Sequence, residues 1–163
     1  KFFSIMKKGE LIPNVNLRLV SSDGMKDINL HDNFKNKRVL IICIPGAFTS
    51  TCHIQHLPPF IAGSETIIKE KKLDIICCIT TNDPYVLDLW RKELGDSSIK
   101  YFSDGNEEFI KLSKLEREYK SNFMGTRLVR SVILLENLEV IEMITEDPGE
   151  FKKTSFEAIL RSI

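Results

Sequence analysis

Two stretches of this chain leave almost no room for polar side chains: RVLIICI at 38–44 and LDIICCIT at 73–80. Neither approaches the ~20 apolar residues that a membrane-crossing helix needs. Both are apolar at consecutive positions, whereas a surface helix is apolar at every third or fourth. Successive side chains of a strand point to opposite faces, so a strand apolar throughout must be covered on both. The two stretches are therefore expected as buried central strands of a sheet with helices on its faces.

The remaining pattern supports that expectation. VNLRLVS at 15–21 alternates like a half-exposed strand, and SSDG makes a turn. The segment 51–72 reads as helical, with a break at Pro58-Pro59 and Gly63. DPYVLDLWRKEL at 83–94 opens with Asp83 as N-cap and Pro84 at the first helical position. IKYFSD at 99–104 is a short strand, and NEEFIKLSKLEREY at 106–119 an amphipathic helix. RSVILLENLEVIEMIT at 130–145 reads as a hairpin turning at Glu136-Asn137, and TSFEAILRSI closes as a helix. Strands alternating with helices, then a hairpin and a helix, predict an α/β architecture: a central mixed β-sheet flanked by helices, in the order of the thioredoxin-like fold. The 163 residues suit one domain over 1–163.

Composition removes several classes of function. The formal net charge is +0, so no strong electrostatic hold on nucleic acid or an anionic membrane is expected. The N-terminal KFFSIMKKGELIP has basic and aromatic residues but no signal-peptide core, and a leader removed before it is compatible with the sequence. Of the four cysteines, Cys43, Cys77 and Cys78 lie in the apolar runs, where a reduced cysteine behaves as a small hydrophobe. The chain is not short enough to need disulfide staples. Free thiols and a reducing intracellular compartment are expected, either the cytoplasm or an organelle such as a mitochondrion or plastid.

Cys52 is placed differently. It follows a buried strand and the short stretch IPGAFTST, and it opens the next helix. Thr51 or Ser50 is expected to cap that helix, whose first turn favours thiolate over thiol. A capping or core thiol is the plain alternative. Thr49 brings a hydroxyl near the sulfur, and Pro45, with no N–H, forms a rigid apolar wall. No Asn or Asp is evident to orient a base, so acyl transfer is poorly served. The surroundings suit a desolvated nucleophile with hydrogen bonds to a departing oxygen. His53 is expected to face solvent and His56 to bond within the site wall. Cys52 and His56 are one helical turn apart, but no second cluster completes a tetrahedral metal set, so neither metal nor other cofactor is expected. A dithiol reductase would need C-x-x-C, and position 55 is Gln55.

PGAFTSTC followed by HIQHLPPF resembles the active-site signature of the peroxiredoxins, in the form found in the type 5 (type II) subfamily. Pro45, Phe48, Thr49, Cys52, His56, Leu57, Pro58 and Phe60 fall in register with it. TTNDPYVLDLW and GTRLVRSVILLEN resemble two further segments of that subfamily, so the likeness spans nearly the whole chain. One departure is Ser50, where the subfamily usually has proline.

The resemblance implies a thiol-dependent peroxidase acting on hydrogen peroxide and alkyl hydroperoxides. Cys52 would be the peroxidatic nucleophile and become a sulfenic acid. Thr49 and backbone N–H groups near Cys52 would hold the peroxide, and Pro45 would shield it from water. Arg130 would stabilise the thiolate and the leaving oxygen. Gly46, Phe48, His56 and Arg127 would support the site, a solvated charge being the alternative for Arg127. No cysteine lies beyond Cys78. The sequence is thus read as a 1-Cys enzyme, reduced by an external thiol such as glutaredoxin with glutathione, or thioredoxin. The family also implies a homodimer, through residues around GAFTS and NDPYV. The alternative is a peroxide-sensing or chaperone-like redox protein of the same fold without significant turnover.

Overall fold

The computed structural model describes residues 5–163. The first four residues of the basic, aromatic N-terminal stretch lie outside them. The chain runs β1 (Asn16–Ser21), β2 (Gly24–Asn29), α1 (Leu30–Phe34), β3 (Arg38–Cys43), a π-helical turn (Thr51–His56), α2 (Leu57–Ala62) and α3 (Ser64–Lys71). It continues with β4 (Ile75–Thr80), α4 (Pro84–Leu94), β5 (Ile99–Ser103), α5 (Glu108–Ser113), β6 (Glu116–Glu118) and a 3₁₀ turn (Lys120–Asn122). It ends with β7 (Thr126–Leu128), β8 (Ser131–Glu136), β9 (Glu139–Thr145) and α6 (Phe156–Ser162).

Seven strands form one mixed sheet in the order β2-β1-β5-β4-β3-β8-β9, and β6 pairs with β7 apart from it. The two apolar runs are β3 and β4, parallel neighbours near the middle. Their alternate side chains feed two cores. Val39, Ile41, Cys43, Ile75, Cys77 and Ile79 pack with Leu30 and Phe34 of α1 and Phe109 and Ile110 of α5. Leu40, Ile42, Ile76 and Cys78 pack with Phe60 of α2, Ile67 of α3, Leu87 and Trp90 of α4, and Ile159 of α6. Each large aliphatic or aromatic side chain buried this way contributes about 1.5–3 kcal/mol. This is the thioredoxin-like architecture, with helices on both faces. No helix among the described residues is long and apolar enough to cross a membrane.

Local chemistry sets the boundaries. Asp83 Oδ1 caps α4 by accepting from Tyr85 and Val86 N–H, with Pro84 at the first position. The β8–β9 hairpin turns on Asn137 and Leu138, both at positive φ, one residue later than the expected Glu136-Asn137. The helical reading of 106–119 needs correction. α5 stops at Ser113, Lys114 takes a left-handed φ of 60°, and the chain continues as β6. The pairing of Arg117 with Arg127 overrides the helical periodicity there. Nor do Pro58 and Pro59 break the helix. They occupy its first turn, where a missing N–H is harmless, and the break falls at Gly63 alone.

Candidate active site

The end of β3 leads into Ile44, Pro45 and Gly46, and a loop from β4 holds this turn in place. Asn82 Oδ1 accepts from the N–H of Ala47 at 2.8 Å and from the Thr80 hydroxyl at 2.9 Å. Gly46 is closely packed: a Cβ there would stand 3.2 Å from Arg127 Nη1, Met124 Cε and Thr49 Cγ2. Phe48 adopts φ 61°, rare for a bulky residue. Its half-exposed ring stacks on His53.

Cys52 lies in the π-helical turn, whose register is set by the N–H of Leu57 bonding Cys52 O five residues back. No side chain caps the turn at Ser50, contrary to expectation, and Ser50 itself has helical dihedrals. The feature facing the sulfur is a cation. Arg130, between β7 and β8, places Nη2 3.3 Å from Cys52 Sγ and Nη1 2.9 Å from His56 Nδ1. All three side chains are buried. A guanidinium only donates, so Nδ1 of His56 carries the lone pair and Nε2 carries the proton, donated to Thr154 O at 3.0 Å. Burial, and then the charge of Arg130, push the His56 pKa down to about 3. Both ring nitrogens are thereby engaged.

A cavity of about 220 Å³ opens beside this cluster, lined by Pro45, Thr49, Thr51, Arg130, Glu146 and Phe151, among others. Cys52 has no exposed surface and does not itself line the cavity, whereas its chain neighbour Thr51 and its hydrogen-bond partner Arg130 do. Phe151 sits edge-on to His56 at 5.1 Å and 5.7 Å from the Arg130 carbon. Thr49 donates its hydroxyl hydrogen to Gly46 O at 2.7 Å, leaving its oxygen to accept from a bound molecule. A roomier hollow of about 370 Å³ lies elsewhere, against β1 and β5, and no cysteine lines it.

The structure thus brings Cys52, Arg130 and His56 into contact and places Pro45 and Thr49 on the adjoining wall. Arg127 stands one step back. It is half-buried and donates to Met124 O and Pro45 O, so it braces the loop. Phe48 does not line the cavity, and its ring contacts are with His53 and Trp90. His53 is also not the solvent-facing residue expected. It is half-buried and accepts a hydrogen bond from Trp90 Nε1 at 2.8 Å. Glu146, Phe151 and Thr154 went unnoticed in the sequence, where EDPGEFKKT offers only the solitary aromatic as a signal. The other three thiols are free and buried in β3 and β4. Burial pushes Cys43 up to about 12, and Cys77 and Cys78 well above the ordinary thiol value.

The sequence matches the Redoxin family over residues 7–160. Peroxiredoxin-2D of Arabidopsis thaliana is 34% identical over 157 residues, which cover 95% of this chain and 96% of that protein. Reduced Prx3 from Vibrio vulnificus in complex with hydrogen peroxide superposes with a TM-score of 0.89 at 29% identity, covering 96% of this chain and 98% of that one. The Plasmodium falciparum antioxidant protein, a 1-Cys peroxiredoxin, superposes with a TM-score of 0.89 at 33% identity, covering 94% and 96%.

Proposed function

This chain belongs to the Redoxin family and, within it, to the peroxiredoxins of the atypical type, and from that membership we infer that its thiol-dependent peroxidase chemistry takes place at Cys52. The observation that carries the assignment is the hydrogen bond from buried Arg130 to Sγ. A charged donor at that distance, in a water-poor setting, stabilises a sulfur anion. Among the described residues, no arginine or lysine hydrogen-bonds the sulfur of Cys43, Cys77 or Cys78.

The sulfur attacks one peroxide oxygen, and the O–O bond breaks. Sulfur supplies the electron pair, and the second oxygen leaves as water or an alcohol by taking up the proton that the Cys52 thiol gave up on ionising. Thr49, already donating to Gly46 O, accepts from the peroxide O–H. Arg130 stabilises the charge growing on the departing oxygen. Pro45 and Phe151 supply apolar wall beside these polar groups, which suits both hydrogen peroxide and alkyl hydroperoxides.

Cys52 is left as a sulfenic acid. An external thiol displaces water to form a mixed disulfide, and a second thiol releases the free cysteine. This 1-Cys cycle is supported by the burial of Cys43, Cys77 and Cys78, and by the 1-Cys relative from Plasmodium falciparum. The reductant is glutaredoxin with glutathione, or thioredoxin. Steady-state turnover with each system decides between them. Free thiols fit a reducing compartment. Exposed Phe48 in the loop after β3 and exposed Tyr85, Val86 and Leu89 on α4 support a homodimer through these residues, and a monomer by light scattering would count against it.

Cys52→Ser tests the assignment. Peroxide turnover should vanish while the circular dichroism spectrum and melting temperature stay close to those of the wild type. Comparable turnover in that variant would show that the reacting thiol lies elsewhere.

A further inference from the structure

Among the described residues, two acidic side chains are buried in the fold, Asp104 and Glu146. Asp104 is accounted for, since its two oxygens accept from Phe109 and Ile110 N–H in the first turn of α5. Glu146 is not. It lines the same cavity as Arg130 and has no part in the chemistry just described.

Its bonds form a closed path. Oε1 of Glu146 accepts from Lys152 N–H at 2.9 Å, Thr154 N–H at 2.7 Å and the Thr154 hydroxyl at 3.1 Å. The carbonyl of Thr154 accepts from His56 Nε2, and His56 Nδ1 accepts from Arg130 Nη1. Glu146 N–H then donates to Arg130 O at 3.0 Å, closing a ring that starts and ends on Arg130. Arg117 Nη2 anchors the Glu146 carbonyl at 3.1 Å. The segment held this way carries Phe151, which packs against both His56 and Arg130. Oε2 of Glu146 is buried with no hydrogen-bond partner. Leaving half a buried carboxylate unsatisfied is destabilising, so its presence is poorly explained by stability alone.

We propose that Glu146 is a positioning residue of the peroxidase site: its carboxylate folds segment 146–154 across Arg130 and, through Thr154 and His56, sets where the guanidinium meets Cys52. The proposal rests on the reading of Cys52 as the reacting thiol. An arginine side chain has several free torsions, and a hydrogen bond to sulfur holds only its tip. The ring fixes the second nitrogen as well, and Phe151 covers the face. The neutral state of His56 keeps its Nδ1 lone pair available to Arg130.

The test is a double-mutant cycle on the rate of Cys52 oxidation by hydrogen peroxide, read by quenched intact-mass measurement in a single turnover. Glu146→Ala should slow oxidation by about 10²-fold, the scale on which small misplacements act. Arg130→Ala should slow it at least as much. The double variant should be no slower than Arg130→Ala alone, because a residue acting only through Arg130 then has nothing left to position. Glu146→Gln keeps an acceptor oxygen for Thr154 and should recover most of the rate. Equal losses in both backgrounds, or a lower melting temperature with an unchanged rate, would make Glu146 a structural clamp and overturn the proposal. If Glu146→Ala does not fold, Glu146→Asp takes its place in the cycle, its carboxylate withdrawn by one methylene. A wild-type chain that peroxide does not oxidise at Cys52 removes the peroxidase reading and this proposal together. A wild type that reacts, with additive losses, removes this proposal alone.

Discussion

His56 holds two bonds that only a neutral imidazole can hold: it accepts from Arg130 at Nδ1 and donates to Thr154 O at Nε2. A second ring proton would face a guanidinium that has no lone pair to offer. This has a consequence for stability. The His56 pKa is held down at about 3 in the folded chain, against 6.5 for a free histidine. Between those values the unfolded chain binds the proton more readily, so its population gains as pH falls. The contribution of His56 is therefore fully present above 6.5 and is lost progressively as pH drops towards 3. Urea unfolding at pH ~7.5 and ~5 should show the wild type losing more stability than His56→Gln, which has no such titration. Equal losses in both would mean that His56 is protonated inside the fold without penalty. The histidine was legible as part of a motif, and so were Cys52, Thr49, Pro45 and Arg130. Its partner Thr154 was not, because that bond runs to a backbone carbonyl 98 residues away and leaves no mark on residue type.

Elements were legible where their chemistry is local. The apolar runs of β3 and β4, the Asp83-Pro84 start of α4 and the β8–β9 hairpin all follow from neighbours in sequence. The end of α5 does not. Lys114 takes a left-handed conformation with no glycine or asparagine to announce it, and β6 exists only because β7 comes back to pair with it. The π-helical turn at Cys52 is equally silent, since its i to i+5 bond has no composition of its own. Gly63 shows how a tertiary contact hides behind a local signal. It reads as a helix breaker, and it does separate α2 from α3. The structure adds a reason: a Cβ at Gly63 would collide with the Cζ edge of the Phe156 ring in α6, which packs edge-on against Phe60 at 5.3 Å. Gly63→Ala should therefore destabilise the protein by about 1–3 kcal/mol, the usual range for overpacking. Removing the ring with Phe156→Ala should relieve that clash, so the two effects should be strongly non-additive. An unchanged unfolding midpoint in Gly63→Ala would show that α6 can shift at no cost.

At the scale of the whole molecule, the sheet separates the four thiols. Cys43 and Cys77 belong to the core on the α1 and α5 side, while Cys52 and Cys78 belong to the core on the side of α2, α3, α4 and α6. For Cys43 or Cys77 to reach Cys52, a thiol would have to cross the plane of the sheet. Cys78 shares the face, but it sits in the middle of β4 without exposed surface, its thiol pushed up by burial. Two cysteines need Cα atoms within about 7 Å and converging Cβ directions to be joined, and moving β4 would disrupt both of its parallel pairings. Under the proposed 1-Cys cycle, a sulfenic acid at Cys52 condenses with no thiol of its own chain, and a second peroxide can carry it to the sulfinic acid. Treated with excess peroxide and no reductant, the protein should gain two or three oxygens by intact mass, mapped to Cys52, with no species that has lost two hydrogens. With glutathione present from the start, the mass of one glutathionyl group should appear at Cys52 instead, and glutaredoxin should remove it. A peptide linking Cys52 to Cys43, Cys77 or Cys78 would overturn the 1-Cys cycle and require β3 or β4 to leave the sheet during turnover. The peroxidase assignment would survive that result, because only the step after sulfenic acid formation would change.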